Sequence, residues 1–255
     1  MEIELLFVLA AVAFVGGVVV TSVGPGGIFV LAALYVGTSL SEAQVAGTAS
    51  ATFVGGALLG ALVYVRSGDM DWPLAVTVGL GGVIGTRLGV WLNVLVSRRL
   101  FGVLLGLLLG LVGLVVLFYE RRNVEPFVRF NSTTRTGLAG LGVIGLAVGT
   151  AGGLFGIGGA ALVPPALVLV GVPLVPALAA TQVVVAFISS AATVSYLARG
   201  TVVAPLVFVV GGSYLLGVVG GWRVAHRVDA ARLTVVLGLT LLGLAPILVF
   251  RALAI

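Results

Sequence analysis

The sequence predicts an all-α membrane protein that is built from two related halves. Hydrophobic residues make up 60% of its 255 residues and charged residues only 8%, which is far from the balance of a soluble domain. Its uncharged stretches are long enough to cross a bilayer as helices, which takes about 20 apolar residues. In addition, the stretch Ser22-Val-Gly-Pro-Gly-Gly27 returns 132 residues later as Leu154-Phe-Gly-Ile-Gly-Gly159. These three observations predict a duplicated, polytopic helical protein.

The uncharged runs divide into about ten segments, five in each half. The first repeat covers residues 1–119, the second covers 136–255, and a polar linker with four arginines joins them over 120–135. The run at 5–41 divides into two short segments at the first glycine-rich break, and the run at 136–198 into three, broken at 152–159 and 171–176. Single spans fill the remaining runs, at 43–65, 72–96, 100–119, 201–222 and 233–250.

The repeat extends beyond the glycines, and duplications of this kind commonly build secondary transporters with a substrate site near the bilayer midplane. The matched pairs are Tyr64 with Tyr196, Gly68 with Gly200, Pro73 with Pro205, Gly85 with Gly217, Phe118 with Phe250 and, after a slip of one residue, Thr48 with Thr181.

Arginine placement favours an inverted repeat, because cytoplasmic loops carry an excess of basic residues. With ten segments and an external N-terminus, eight arginines lie inside and four outside, whereas an eight-segment arrangement gives seven against five. An odd number of segments per half turns the second half upside down. The first two segments of each half either cross fully or form a re-entrant hairpin, and both readings give the same parity.

Several classes of function are excluded by the residues that the chain lacks. There is no cysteine and no lysine, so thiol chemistry, thiolate metal sites, Schiff bases and a Walker-type phosphate loop are ruled out. The carboxylates all fall at segment ends or in loops, and His226 lies in a basic loop. No catalytic constellation lies within the spans. We therefore expect no enzyme activity, no metal and no cofactor, and no nucleic-acid partner.

The two glycine-rich breaks are the main candidates for a binding site, at Gly26 and Gly27 and at Gly158 and Gly159. They interrupt the helical ladder, so helices that begin near Ile28 and Ala160 should expose amide N–H groups at their starts. In hydrocarbon such groups must face protein, water or a ligand. Two helix N-termini that meet near the midplane would form an anion site without a cation. The alternative is that the glycines serve only close helix packing.

Four polar side chains are further candidates for substrate binding. Thr48, Thr181 and Gln182 follow the breaks, and their hydroxyls and amide can coordinate an oxyanion. The threonines can instead bond to their own helix carbonyls. Arg87 lies roughly halfway along its segment, where an arginine must face a cavity or a partner, or else snorkel to the interface. It has no charged match in the second half, where Val219 stands.

The order of these motifs resembles the sulfite exporter TauE/SafE family over essentially the full length. The resemblance is carried by Gly24-Pro-Gly-Gly27, Ala46-Gly-Thr-Ala-Ser50, Tyr64-Val-Arg-Ser-Gly68, and Gly156-Ile-Gly-Gly159 followed by Pro164. It implies the generally outward transport of sulfur-containing anions such as sulfite, sulfoacetate or related organosulfonates, with protons as a candidate coupling ion. Pro25 and the unmatched Arg87 depart from the pattern.

We therefore expect a multi-pass carrier of the cell membrane that exports a small anion by alternating access. Its partners are the small anion and the lipid bilayer, while proton coupling and a homo-oligomeric state are left open. Two alternatives remain, namely a passive anion channel and a membrane scaffold that transports nothing.

Overall fold

A computed structural model of the chain describes residues 3–22, 26–68, 70–121, 130, 134–225 and 230–254. These ranges contain ten helices and no strand, so the predicted all-α fold class is confirmed. Eight helices are long and apolar enough to cross a membrane. In chain order the helices are α1 (Ile3–Ser22), α2 (Gly27–Gly37), α3 (Glu42–Ser67), α4 (Trp72–Leu95), α5 (Arg98–Arg121), α6 (Arg135–Phe155), α7 (Val163–Leu169), α8 (Leu174–Leu197), α9 (Ala204–Ala225) and α10 (Ala230–Ala254).

The short helix α2 folds back on the long helix that precedes it, whereas the short helix α7 packs mainly against the helix that follows it, α8. Gly26 packs against the backbone of Gly16 in α1, and Gly37 at the far end of α2 packs against Leu5. An 11-residue helix spans only about 16 Å, which is half of a hydrocarbon core. The second break differs from the first in sequence but has the same form, since α7 has only seven residues. Each half thus begins with one long helix and one short helix.

The long helices pack along seams of glycine. In α4, Gly85 and Gly89 lie against the backbone of α6, and Gly217 in α9 lies against Phe14 in α1. Contacts of this kind let two backbones approach closely, which is a main source of stability for helices in lipid. The packing interpretation of the glycines is therefore correct for these seams, including the matched pair Gly85 and Gly217.

The pairing of the helices is symmetric with respect to the two halves. The main contacts are α4 with α6, α1 with α9, α5 with α10, α3 with α8, α4 with α8 and α3 with α9. If each helix of the first half is replaced by its counterpart in the second half (α1 by α6, and so on to α5 by α10) and the reverse, the same set of pairs results. In addition, α3 and its counterpart α8 run antiparallel, because Gly47 packs on Tyr196 while Gly60 packs on Gln182. These contacts support an inverted repeat, which stays a prediction, as do the repeat boundaries and linker.

Arginines mark the two ends of the helix bundle. Arg98 at the start of α5 donates hydrogen bonds to the carbonyl oxygens of Tyr35 (3.1 Å) and Thr38 (2.8 Å) at the end of α2. We name this end the Arg98 face, and it also carries Arg99, Arg199 and Arg251. The opposite end is the Arg66 face, where α3 ends and α6 begins. The four arginines that the sequence assigns to the outside thus lie at one face of the bundle.

Candidate functional site

A small cavity of about 20 Å³ lies between the two helix breaks. Helices α1, α2, α3, α8 and α9 contribute to its wall, together with the segment that follows α6. The lining side chains and backbone include Gly27, Phe53, Ala57, Ile157, Gln182 and Tyr214. Phe53 and Ala57 are near the middle of α3, and Tyr214 is at the middle of α9. The cavity therefore lies at half the height of the bundle.

The first break presents the start of α2 to this cavity. Gly27 is the first residue of α2, and its N-cap, Gly26, supplies no side-chain hydrogen bond. The leading amides of a helix lack intrahelical partners and form the positive end of its dipole. Gly27 lines the cavity beside the Phe53 ring, whereas Gly26 packs behind it against α1. A Cβ at Gly26 would overlap the backbone of α1, so the close approach requires glycine.

The second break leaves α6 through three glycines with left-handed backbone. Gly156, Gly158 and Gly159 have φ angles of 78°, 63° and 83°, a region that glycine adopts without steric cost. Gly158 packs against Ser189, and Gly159 packs against Val148 and Ile188. These glycines position the break, while their neighbours line the cavity.

The helix after this break starts later than the sequence suggests. We expected it near Ala160, but α7 begins at Val163, because the amides of Leu162 and Val163 both bond to the Gly159 carbonyl oxygen at 2.9 Å and close a turn first. Its next two residues are Pro164 and Pro165, which have no N–H group. The second helix start therefore supplies few amide donors. Ile157 and Ala160, rather than Gly158 and Gly159, line the cavity.

Gln182 is the strongest polar candidate in the cavity wall. Its side chain is half-buried and packs against Gly60 of α3. The primary amide makes no hydrogen bond with any described residue. Its two N–H donors and one carbonyl acceptor thus have no partner among the described residues, in a residue that lines the cavity.

The two threonines lie outside the cavity and bond to backbone. Thr48 is fully buried, and its hydroxyl oxygen accepts a hydrogen bond from the amide of Val203 at 3.1 Å, which ties α3 to the chain before α9. Thr181 donates to the carbonyl oxygen of Ala177 at 2.6 Å, one turn earlier in its own helix. The alternative that the sequence left open, a bond to a carbonyl of the residue's own helix, describes Thr181 but not Thr48, whose partner is the amide of Val203.

Arg87 is on the other side of the α3–α8 pair. It lines a lateral groove of about 550 Å³ between α3, α4 and α8, and its side chain is exposed. The structure therefore brings Gly27 and Gln182 together, with Gly26, Gly158 and Gly159 directly behind the lining. It does not bring Arg87, Thr48 or Thr181 to the same cavity.

Sequence reasoning missed the aromatic part of the wall. The rings of Phe53 and Tyr214 lie 5.2 Å apart, tilted by 56°, and both line the cavity. Gly56 makes room for the Tyr214 ring. A tyrosine in the middle of an apolar span carries a hydroxyl that needs a partner, and this was the signal available in the sequence.

Comparisons with known proteins agree with this architecture. A family model for the sulfite exporter TauE/SafE matches residues 9–247. Two curated relatives from two strains of Xylella fastidiosa, each described as a probable membrane transporter protein, are similar to the chain. One is 27% identical over 211 residues, 81% of this chain and 79% of the relative, and the other is 28% identical over 196 residues, 75% and 74%. No solved structure gives a significant match. The chain therefore belongs to the sulfite exporter TauE/SafE family and is a multi-pass membrane transporter.

Proposed function

We propose that this transporter exports small sulfur-containing anions, such as sulfite or organosulfonates, across the cell membrane by alternating access. The observation that carries the proposal is the cavity at half the height of the bundle, between two helix breaks. Secondary transporters with repeated halves bind substrate at this level, at interrupted helices. The family match supports the class of substrate.

The chemistry of the cavity wall favours an anion over a cation. None of the described residues that line it carries a formal charge. The start of α2 at Gly27 directs partial positive charge toward the cavity, and the amide of Gln182 and the hydroxyl of Tyr214 add donors. A sodium or calcium ion would instead need carboxylate or several carbonyl oxygens. Without a full positive charge, the site can bind an oxyanion and still release it.

The size of the cavity indicates that it must open to bind substrate. A volume of about 20 Å³ accommodates roughly one water molecule. A sulfur oxyanion is larger, so we infer that the described state is a closed one. Opening toward one face and then the other would move the helix breaks relative to α3 and α8. Because none of the described residues that line the cavity carries a charge, a proton-coupled mechanism would require a proton carrier elsewhere in the chain.

Transport by purified protein in proteoliposomes tests this proposal. The matched variants are Gln182→Leu, which removes the amide from the cavity, and Thr181→Val, which changes the adjacent residue outside it. Hydrogen bonds to charged groups contribute about 1.5–3 kcal/mol, so we expect Gln182→Leu to lower the initial rate of sulfite or sulfoacetate transport by about 10- to 100-fold. Thr181→Val should retain most of the rate.

Three results would contradict the proposal or its mechanism. Flux that does not saturate and shows no counterflow would favour an anion channel. Absence of flux for every sulfur anion in a folded, reconstituted protein would favour a scaffold. An equal loss of transport in both variants would show that the cavity is not the binding site. Thermal unfolding of each variant in detergent controls for loss of folded protein.

A further inference from the structure

The lateral groove that holds Arg87 has a polar end and an apolar end. Val83, Leu58 and Phe187 line its deeper part, and Arg87, Val194 and Ser195 line the part toward the Arg98 face. The depth follows from contacts between α4 and α8, which run in the same direction. Gly79 packs on Phe187, and eleven residues further along α4 the carbonyl oxygen of Val90 accepts a hydrogen bond from Arg199 at 3.0 Å. Arg87 therefore lies near the level at which α8 ends.

The charge of Arg87 has no partner among the described residues. Its side chain is exposed and makes no hydrogen bond or ion pair with them. It lies eight residues before the end of α4, so its Cα is about 12 Å below that helix end. An arginine at such a depth is costly without an anion or a path to the interface. No acidic side chain is among the described residues that line the groove.

Two neighbouring side chains mark a membrane interface about one helical turn above Arg87. Trp91 lies one turn closer to the Arg98 face than Arg87, and 56% of its surface is exposed. Arg199 is also exposed and lies against the same turn of α4. Tryptophan and arginine concentrate at the level of lipid headgroups. The polar end of the groove therefore faces headgroups, and its apolar end faces acyl chains.

We propose that this groove binds an anionic phospholipid from the leaflet at the Arg98 face. The phosphate contacts Arg87, and one acyl chain runs along Leu58, Val83 and Phe187 toward the middle of the bilayer. A free anion would match the arginine but not the apolar walls. A second copy of this chain would also match the apolar walls, and the experiment below distinguishes it from a lipid.

The groove and the central cavity share a wall of two helices. Ala57 and Val185 line the cavity, and the residues that follow them, Leu58 and Ala186, line the groove. A bound lipid would therefore lie against the outer side of the α3–α8 pair whose inner side carries Gln182. An effect of the lipid on transport rests on the proposed function, whereas binding of the lipid does not.

Quenching of Trp91 by brominated lipids tests the proposal. The chain has three tryptophans, so Trp72→Phe combined with Trp222→Phe leaves Trp91 as the sole fluorophore. This protein is reconstituted in phosphatidylcholine bilayers that contain increasing fractions of brominated phosphatidylglycerol or brominated phosphatidylcholine. One arginine near the surface favours an anionic lipid by about fivefold. Half-maximal quenching should therefore need about one-fifth as much brominated phosphatidylglycerol as brominated phosphatidylcholine. Arg87→Gln should abolish this preference.

The matched control is Arg251→Gln, which removes another exposed arginine at the same face and should retain the preference. Equal quenching by both lipids, or an equal loss in the control, would overturn the proposal. Absence of quenching by either lipid, together with a dimer in crosslinking, would show that a second copy covers the groove. If the tryptophan variants do not fold, native mass spectrometry of the wild-type chain and Arg87→Gln, counting bound phosphatidylglycerol, gives the same test.

Sulfite transport by the same samples keeps the two proposals distinguishable. A lipid preference that depends on Arg87 in a protein without anion flux would contradict the proposed function and leave the lipid site intact. Anion flux in a protein without a lipid preference would contradict the lipid site and leave the proposed function intact.

Discussion

Two threonines at matching positions of the repeat use their hydroxyl groups differently. Thr48 accepts a hydrogen bond from the amide of Val203, whereas Thr181 donates to a carbonyl oxygen of its own helix. Thr48→Val leaves the part-buried amide of Val203 without this partner, and we expect it to lower the free energy of unfolding by about 1–3 kcal/mol. Thr181→Val removes only a hydrogen bond within its own helix and should lower the free energy of unfolding by about 0.6 kcal/mol or less. Unfolding in mixed micelles measures both, and equal losses would show that the Val203 contact is unimportant.

The hydroxyl of Ser189 is buried and has no partner among the described residues. It is fully buried against Gly158, and its oxygen makes no hydrogen bond with any residue that the structure describes. Most serines in membrane helices bond to a carbonyl one turn earlier, as Ser195 does. Ser189→Ala should therefore leave the free energy of unfolding unchanged or raise it by up to about 1 kcal/mol. A clear loss of stability in the same micelle assay would mean that the hydroxyl has a partner in solution. Ser195→Ala, which removes a satisfied hydroxyl, is the control.

At the scale of single elements, the break after α6 depends on two properties of Gly156. Its φ angle is 78°, and a Cβ at this position would overlap the backbone of Ala46. Gly68 has the same left-handed backbone, with a φ angle of 80°, but a Cβ there would meet no atom within 4 Å. Gly68→Ala should therefore cost only the conformational penalty, about 1–2 kcal/mol. Gly156→Ala adds a backbone overlap and should yield little folded protein in size-exclusion chromatography. Similar yields would indicate that the contact between the break and α3 can relax.

The seam between α4 and α6 gives a second contrast among glycines. A Cβ at Gly85 would overlap the backbone of α6, whereas a Cβ at Gly212 in α9 would meet no atom. Overpacking usually costs about 1–3 kcal/mol, so Gly85→Ala should lower the thermal unfolding temperature. Gly212→Ala should raise the thermal unfolding temperature slightly, because alanine is more favourable than glycine in a helix interior by about 1 kcal/mol. If Gly85→Ala were as stable as the wild type, the seam would be looser than the structure describes.

Much of the architecture follows from the sequence, because lipid permits few solutions for the backbone. Apolar run lengths predicted the long helices, and the repeated glycines predicted both breaks. The site was less predictable. Gly27 and Gln182 were identified, since a helix start and an amide in lipid both need partners. Phe53 and Tyr214 were not, because aromatic residues in a span resemble ordinary core. The place of Arg87 depends on how α4 packs against α8, which no local pattern specifies.

The whole molecule poses the question of how its two halves cross the membrane. The chain contains no cysteine, so single cysteines report accessibility without background. Tyr64 and Tyr196 are a matched pair of the repeat, and each is followed within three residues by an arginine, Arg66 or Arg199. These two arginines nevertheless lie at opposite faces of the bundle. The excess of arginine in the sequence predicts that the Arg66 face is cytoplasmic. In intact cells, a membrane-impermeant maleimide should therefore label Arg199→Cys and Arg251→Cys, and should label Arg66→Cys and Arg135→Cys only after permeabilisation. Labelling of Arg66→Cys and Arg199→Cys from the same side would require two halves of equal orientation, and the contacts between α3 and α8 would then have to be wrong.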